Sequence, residues 1–351
     1  MNTLATPNAS SETHATSADV ALKIQELKEL KWDGDRDFPL PPQAVIEFSR
    51  LARTPNVRVA ELSHVVEDEP GLTAELLRSV NSSVYGVRKK VDSVPEAIAL
   101  LGIANCTSIL LTKALDRSLK YFESPLISNL HARRETQERT RFAREVAIRI
   151  GLDPNLSFTA ATLQDILLPL LTRRYESEYT RYLNQDDYPG IEEFERDMFG
   201  WTHAEITAKT LLEWGFPHSL VVRVMMHHRS PEELFVADGP LNDATANATA
   251  ALLTDVMQQS PSGVTRLVDL HRFHPKMKLL EIAAAVDAQA TRSRTVTSDS
   301  LPLVNRIQGA MIDQIERRRK DSIVPGRQFG NYVLEDKLIE NRSANSSEKC
   351  S

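Results

Sequence analysis

Apolar side chains in this chain recur at helical spacing and almost never in strict alternation. Val20, Ile24 and Leu27, with Lys31 behind them, stand at i, i+4, i+7 and i+11, which predicts an amphipathic helix over 18–30 closed by Asp33-Gly34-Asp35. The stretch Phe38-Pro39-Leu40-Pro41-Pro42 cannot be helical, because each proline pushes the residue before it into extended geometry. Val59, Leu62 and Val66 then mark one helix. Leu72, Leu76, Leu77 and Val80 mark the next, opened by Asp68-Glu69-Pro70 at its positive end. Ser93-Val94-Pro95-Glu96 has capping-box spacing, and 97–115 is nearly all apolar or small, predicting one long buried helix or two that break at Gly102.

Further along, 130–150 is charged and helical and stops at Gly151-Leu152-Asp153-Pro154. Residues 157–171 have a buried character and 175–183 an amphipathic one, while 205–214, Gly215, Pro217 and 219–228 give helix, glycine stop, proline start and helix. Weaker helical patterning covers 243–258 and 276–290, a Ser/Thr-rich linker covers 291–300, and Leu303, Ile307, Ala310, Met311 and Ile315 define a last helix. No strand pattern precedes residue 328 and no internal repeat is visible. The fold class expected is all-α, with 1–17 and most of 321–351 disordered because they have little to bury.

Composition supports this. Glycine supplies 13 of 351 residues, about 4% against an ordinary usage of roughly 7%, and glycine is what hairpins and phosphate-binding loops consume. The 42 basic against 48 acidic residues give a net charge of −6, which removes any global positive field for nucleic acid or anionic membrane. Two cysteines, Cys106 and Cys350, cannot make a disulfide framework, and no stretch of about 18 apolar residues occurs, so a cytoplasmic protein without membrane segments is expected.

Most enzymatic constellations are missing: there is no glycine-rich phosphate loop, no Cys-x-x-Cys, no Gly-x-Ser-x-Gly and no His-Glu-x-x-His. Cys106 lies in an apolar run and reads as a core residue, and Trp201 and Trp214 read as core anchors because no basic residues interleave them. Arg317-Arg318-Arg319-Lys320 falls in the last turn of a helix, where cations favour the dipole, so nucleic-acid binding is not expected.

Residues 38–115 resemble the HDOD family, bacterial signalling domains related to the HD phosphohydrolases. The matching text is Phe38-Pro39-Leu40-Pro41-Pro42, "VVEDEPGLTAELLRSV" at 65–80, Asn81-Ser82-Ser83-Val84-Tyr85-Gly86 and "VPEAIALLG" at 94–102. The likeness continues through "RIGLDPNLSFTAATLQDILLPLL", "FGWTHAEITAKTLLEWGFP" and "VMMHHRSPEE", so it spans about 20–260, with Glu69-Pro70 replacing the usual Asp-Pro. It implies two packed helical bundles, over 18–125 and 126–260, the second HD-like, followed by additional helices and linker at 261–320.

The HD superfamily hydrolyses phosphoesters with metal held by His and Asp, which lowers the pKa of a bound water. At the hallmark His-Asp doublet this chain has Gln164-Asp165, and the upstream ligand histidine falls at about Glu135, with His131 one turn earlier. Asp165, His203, His227 and His228 match later ligands and form a residual metal-site candidate, with Asp255 as a further acid; their other reading is of histidines satisfied at helix ends. The resemblance therefore implies a noncatalytic signal-transduction module without catalytic residues or a required cofactor, binding a partner protein or small effector. The alternative is a divergent metal-dependent phosphohydrolase. Asn81, Tyr85, Arg88 and Lys89 are the binding-surface candidates, against the reading that Tyr85 packs inward and Asn81 caps the preceding helix. Residues 329–340, with Tyr332, Leu334 and Leu338, also resemble the first strand of bacterial Ser/Thr protein kinases, but the glycines that should follow are absent, which excludes kinase activity.

Overall fold

The computed structural model describes the chain except residues 1–11, 33–41, 53, 83–86, 88, 120–122, 185–187, 189, 238, 254, 256, 261, 293–300, 323–327, 330–331 and 334–351. Its helices begin and end largely at the stop and start signals. In the first half they are α1 (Glu12–Glu29), α2 (Gln43–Leu51), α3 (Val59–Glu67), α4 (Pro70–Val80), α5 (Val94–Leu101) and α6 (Ile103–Leu119). Helix α1 starts at Glu12, inside the segment expected to be a disordered tail. Ser93 accepts from the Glu96 amide at 3.3 Å, while Glu96 reaches back to the Asp92 amide, one residue before the position a capping box predicts. The apolar run 97–115 does break at Gly102, whose φ of +79° is open to glycine and costly for other residues.

The second half comprises α7 (Asn129–Ile150), α8 (Pro154–Leu163), α9 (Leu168–Arg174), α10 (Glu176–Leu183), α11 (Ile191–Phe199), α12 (His203–Glu213), α13 (His218–Met225), α14 (Pro231–Val236), α15 (Thr245–Ala250), α16 (Gly263–Phe273), α17 (Leu279–Arg292) and α18 (Leu303–Ser322). Asp153 caps α8 by accepting from the amides of Asn155 and Leu156 at 2.8 and 3.0 Å, with Pro154 at the first helical position. Two-residue strands Gln328–Phe329 and Tyr332–Val333 pair antiparallel. Most of the kinase-like island lies outside the described residues. No helix among the described residues is long and apolar enough to cross a membrane.

The two halves share apolar packing across residue 125. The core built by α1–α6, including Phe48, Leu62, Leu76, Ile98 and Leu110, runs on through Leu163 of α8, Leu211 of α12 and Leu220 and Val224 of α13. Residues 261–320 supply the helices α16–α18. Leu267, Leu270, Ile282, Val286 and Ile307 share a core with Phe142 and Val146 of α7, so α16–α18 close over the HD-like half. An aromatic cluster forms a third core, with Phe199 stacked on Trp201 at 4.7 Å and Tyr179 edge-on to Phe194 at 5.5 Å. Trp201 is thus buried as a core anchor, and Trp214 is half-buried against the first core. Cys106 is fully buried, and burial pushes its thiol up to about 12.

Asn81 joins α4 to the approach of α5. Its amide nitrogen donates to the carbonyls of Leu77 and Val91, and its oxygen accepts from the Val91 amide, all at 2.8 Å. The side chain is fully employed inside the fold. Asn81→Ala strands the Val91 amide and should therefore lower unfolding free energy by about 1–3 kcal/mol; an unchanged denaturation midpoint would show that this link is replaced by water.

Candidate metal centre

Asp165 sits just beyond α8, in the turn toward α9 where the Ile166 amide donates to the Leu163 carbonyl, and its carboxyl is turned into the protein. Gly200, at φ +76°, ends α11 and reverses the chain so that Thr202 can cap α12. Thr202 accepts from the Glu205 amide and Glu205 accepts from the Thr202 amide, which fixes His203 as the first residue of α12 rather than part of the preceding loop. Helix α13 stops at Met225, and the turn after it carries His227 and His228.

These elements bring four sequence-predicted candidates together. His203 Nε2 lies 3.3 Å from His227 Nε2 and 3.2 Å from His228 Nε2. Asp165 Oδ1 lies 3.4 Å from Nε2 of both His203 and His227. Among the described residues, these histidines are the one group of three or more ligating side chains whose donor atoms all fall within 4.8 Å of one another. His203 and His227 are fully buried and His228 partly so.

The outer partners orient the rings. Glu195 Oε2 accepts from His203 Nδ1 at 2.8 Å and from the His203 amide at 2.8 Å, while Tyr179 donates its hydroxyl to Glu195 Oε1 at 2.6 Å. The Val224 carbonyl accepts from His227 Nδ1 at 2.6 Å. A carboxylate or a carbonyl can only accept, so both Nδ1 atoms carry hydrogen and both Nε2 atoms turn inward. Histidines that ligate metal are commonly held in this way.

The other side of Asp165 is taken. Arg139 forms a buried ion pair with Asp165 Oδ2, which also accepts from Gln259 Nε2 at 3.3 Å. Asp255 accepts from the amides of Met257 and Gln259; its charge interacts with that of Arg139, yet burial raises its carboxyl, with Asp165 adding to the rise. Gln164 is fully buried, and neither atom of its amide has a hydrogen-bond partner. On α7, His131 is exposed and Glu135 half-buried, and the residue of that helix that reaches Asp165 is Arg139, one turn after Glu135.

Burial alone would raise the Asp165 carboxyl, but Arg139 together with His203 and His227 holds it well below the usual carboxylate range. Burial lowers the His203 imidazole, and the Glu195 and Asp165 carboxylates outweigh it, leaving it at about 10. Burial and the two neighbouring imidazoles push His228 well below its ordinary value.

The three histidines lie close enough together for their ring nitrogens to hold one metal ion, while Asp165 Oδ1 approaches two of them, His203 and His227, at 3.4 Å. Asp165 Oδ1 is buried and receives no hydrogen bond, as an atom reserved for a cation would be.

Arg139, Glu195 and Tyr179 escaped the sequence analysis, although two left a signal. Arg139 precedes Phe142, Ala143, Val146 and Ala147 on one apolar stripe, and Glu195 stands beside Ile191 and Phe194 on another. A charge on an apolar stripe demands a buried partner. Of the binding-surface candidates, Asn81 is engaged internally, Lys89 is exposed, and Tyr85 and Arg88 lie outside the described residues. Arg139→Met removes the partner of a buried carboxylate and should cost about 3–5 kcal/mol in chemical denaturation; a loss below about 1 kcal/mol would mean that Asp165 is solvated or protonated instead.

A family model described as the HDOD domain matches residues 38–230. An uncharacterized protein of Treponema pallidum (strain Nichols) is 21% identical over 199 residues, 56% of this chain and 38% of that protein, so the chain spans well under half of this relative. A crystal structure named "Putative phosphohydrolase" from Shewanella amazonensis SB2B superposes with a TM-score of 0.52 at 18% identity, covering 77% of this chain and 94% of that one. An HDOD domain protein with unknown function from Geobacter sulfurreducens gives a TM-score of 0.48 at 17% identity, covering 78% and 98%. Likeness at these identities concerns the fold.

Proposed function

Because the chain belongs to the HDOD domain family, we propose that it is a noncatalytic signal-transduction module of the cytoplasm, which works by binding a partner protein or small effector and not by hydrolysing phosphoesters. One observation carries this reading: the buried guanidinium of Arg139 occupies Asp165 Oδ2, beside the unpartnered amide of Gln164, where the HD doublet should present a histidine and a free carboxylate. A hydrolytic metal must keep a coordination position open for the water it activates. An amide that carries no charge and a carboxylate already neutralised by arginine make a poor site for that ion.

The second reading, a divergent metal-dependent phosphohydrolase, draws on the convergence of His203, His227 and His228. It requires a substrate phosphate and a water to reach the ion, whereas His203 and His227 have no exposed surface. For partner binding, the exposed Lys89 and Lys90 beside the Asn81 link offer cationic contacts at the rim of the first bundle. The test is hydrolysis of phosphodiesters and nucleotides by the purified full chain with Mg²⁺, Mn²⁺ or Fe²⁺. No turnover above buffer is expected. Turnover that disappears in Asp165→Ala would overturn the noncatalytic reading.

A further inference from the structure

Helix α1 lies ahead of residues 38–230, the span of the HDOD match, and runs from one core to another. Val20, Ile24 and Leu27 stand at i, i+4 and i+7 and pack in the first core, where α1 lies on α12 and on the 3-10 turn Gly239–Ala244. Leu30 and Trp32, just past the end of α1, pack in the third core. Trp32 meets Trp201 edge-on with ring centroids 6.4 Å apart, and Trp201 in turn stacks on Phe199 at 4.7 Å and tilts on Tyr175 at 5.7 Å. The attachment rests on few side chains. Between residues 20 and 29 only Ile24 and Leu27 are fully buried, while Leu22 is 58% exposed. Polar groups of the helix pair with one another, Lys23 with Glu26 at 3.0 Å and Gln25 with Glu29 at 2.6 Å. A helix takes most of its stability from its packed face, and an element with few buried contacts opens at lower cost than the whole fold.

We propose that α1 is a releasable strap, covering from within the chain a groove that receives an amphipathic helix of a partner protein. This deepens the partner-binding reading above and rests on it. The groove is bounded by α12 and the Gly239–Ala244 turn, and its far end is formed by Tyr175, Phe199 and Trp201. Grooves of this kind are filled by apolar anchors at i, i+4 and i+7 along one face of a helix. The partner that fits therefore repeats the pattern of α1, with apolar residues at i, i+4, i+7 and i+10 and an aromatic at i+12, as at Val20, Ile24, Leu27, Leu30 and Trp32. The short connection at 33–41 keeps the strap at an effective concentration on the order of millimolar, so a free helix gains the groove only when α1 is loosened.

The experiment uses the full chain. In the wild type, amide hydrogen exchange over residues 20–30 should run about a hundredfold faster than in α4 and α13, because the strap opens without the rest of the fold. Ile24→Asp with Leu27→Asp puts two carboxylates into the apolar contact and should release α1 while cooperative melting is kept. A fluorescent peptide of residues 18–32 should then bind the double variant at least about tenfold more tightly than it binds the wild type. The same peptide carrying both substitutions should not bind, and Trp32→Ala in the full chain should open the groove in the same direction. Equal peptide binding by wild type and double variant, loss of cooperative melting in the double variant, or exchange over 20–30 only at the rate of global unfolding each overturns the strap. A wild-type dimer that the double substitution splits into monomers overturns it too, since α1 then docks on a second copy. None of these outcomes touches the noncatalytic reading, which falls only to phosphodiester turnover lost in Asp165→Ala.

Discussion

A carboxylate taken out of water must be compensated on each oxygen, and for Asp165 the two compensations are of different chemistry. Oδ2 faces the guanidinium of Arg139 and the amide of Gln259, while Oδ1 faces the inner nitrogens of His203 and His227. Leaving a buried charge unpaired costs several kcal/mol, so the helices that bring these partners are constrained by the one residue. Helix α7 must present Arg139, the 255–259 turn must present Gln259, and the reversal at Gly200 must start α12 at His203. Glu195 and Tyr179 extend the same chain of compensation into the aromatic core, where α10 and α11 meet.

This arrangement shows how the fold keeps a buried carboxylate at the end of α8 compensated from within the chain. Beside the neutral amide of Gln164, the cation that Asp165 needs on one side is supplied by Arg139 from within the chain. A guanidinium stabilises the carboxylate as a metal would but cannot ionise a water. His203 and His227 face the other oxygen. The centre thereby has one carboxylate oxygen fixed by arginine and the other turned to imidazole.

Much of the fold was legible in the residues. Gly102, Gly151, Asp153, Gly215 and Pro217 act through local backbone preferences, so the helices they bound could be placed without knowing their neighbours. Asp165, His203, His227 and His228 were named through resemblance, and the fold brings their side chains near one another. Arg139 and Glu195 were not, since a charged side chain on an apolar stripe shows only that a partner is needed, and the partner lies 26 residues away for Arg139 (165 − 139). Tertiary packing was less legible. The stripe of Leu303, Ile307 and Met311 was visible, but nothing local disclosed that it closes on α16 and α17 in a core shared with α7.

The pairing of Asp165 with Arg139 is tested most directly by a crystal structure of the protein grown with Mn²⁺, with the ion located by its anomalous signal. The account predicts Arg139 paired to Asp165 Oδ2 and no ion between Gln164, Asp165 and Asp255. An ion at that place with Arg139 displaced would contradict it.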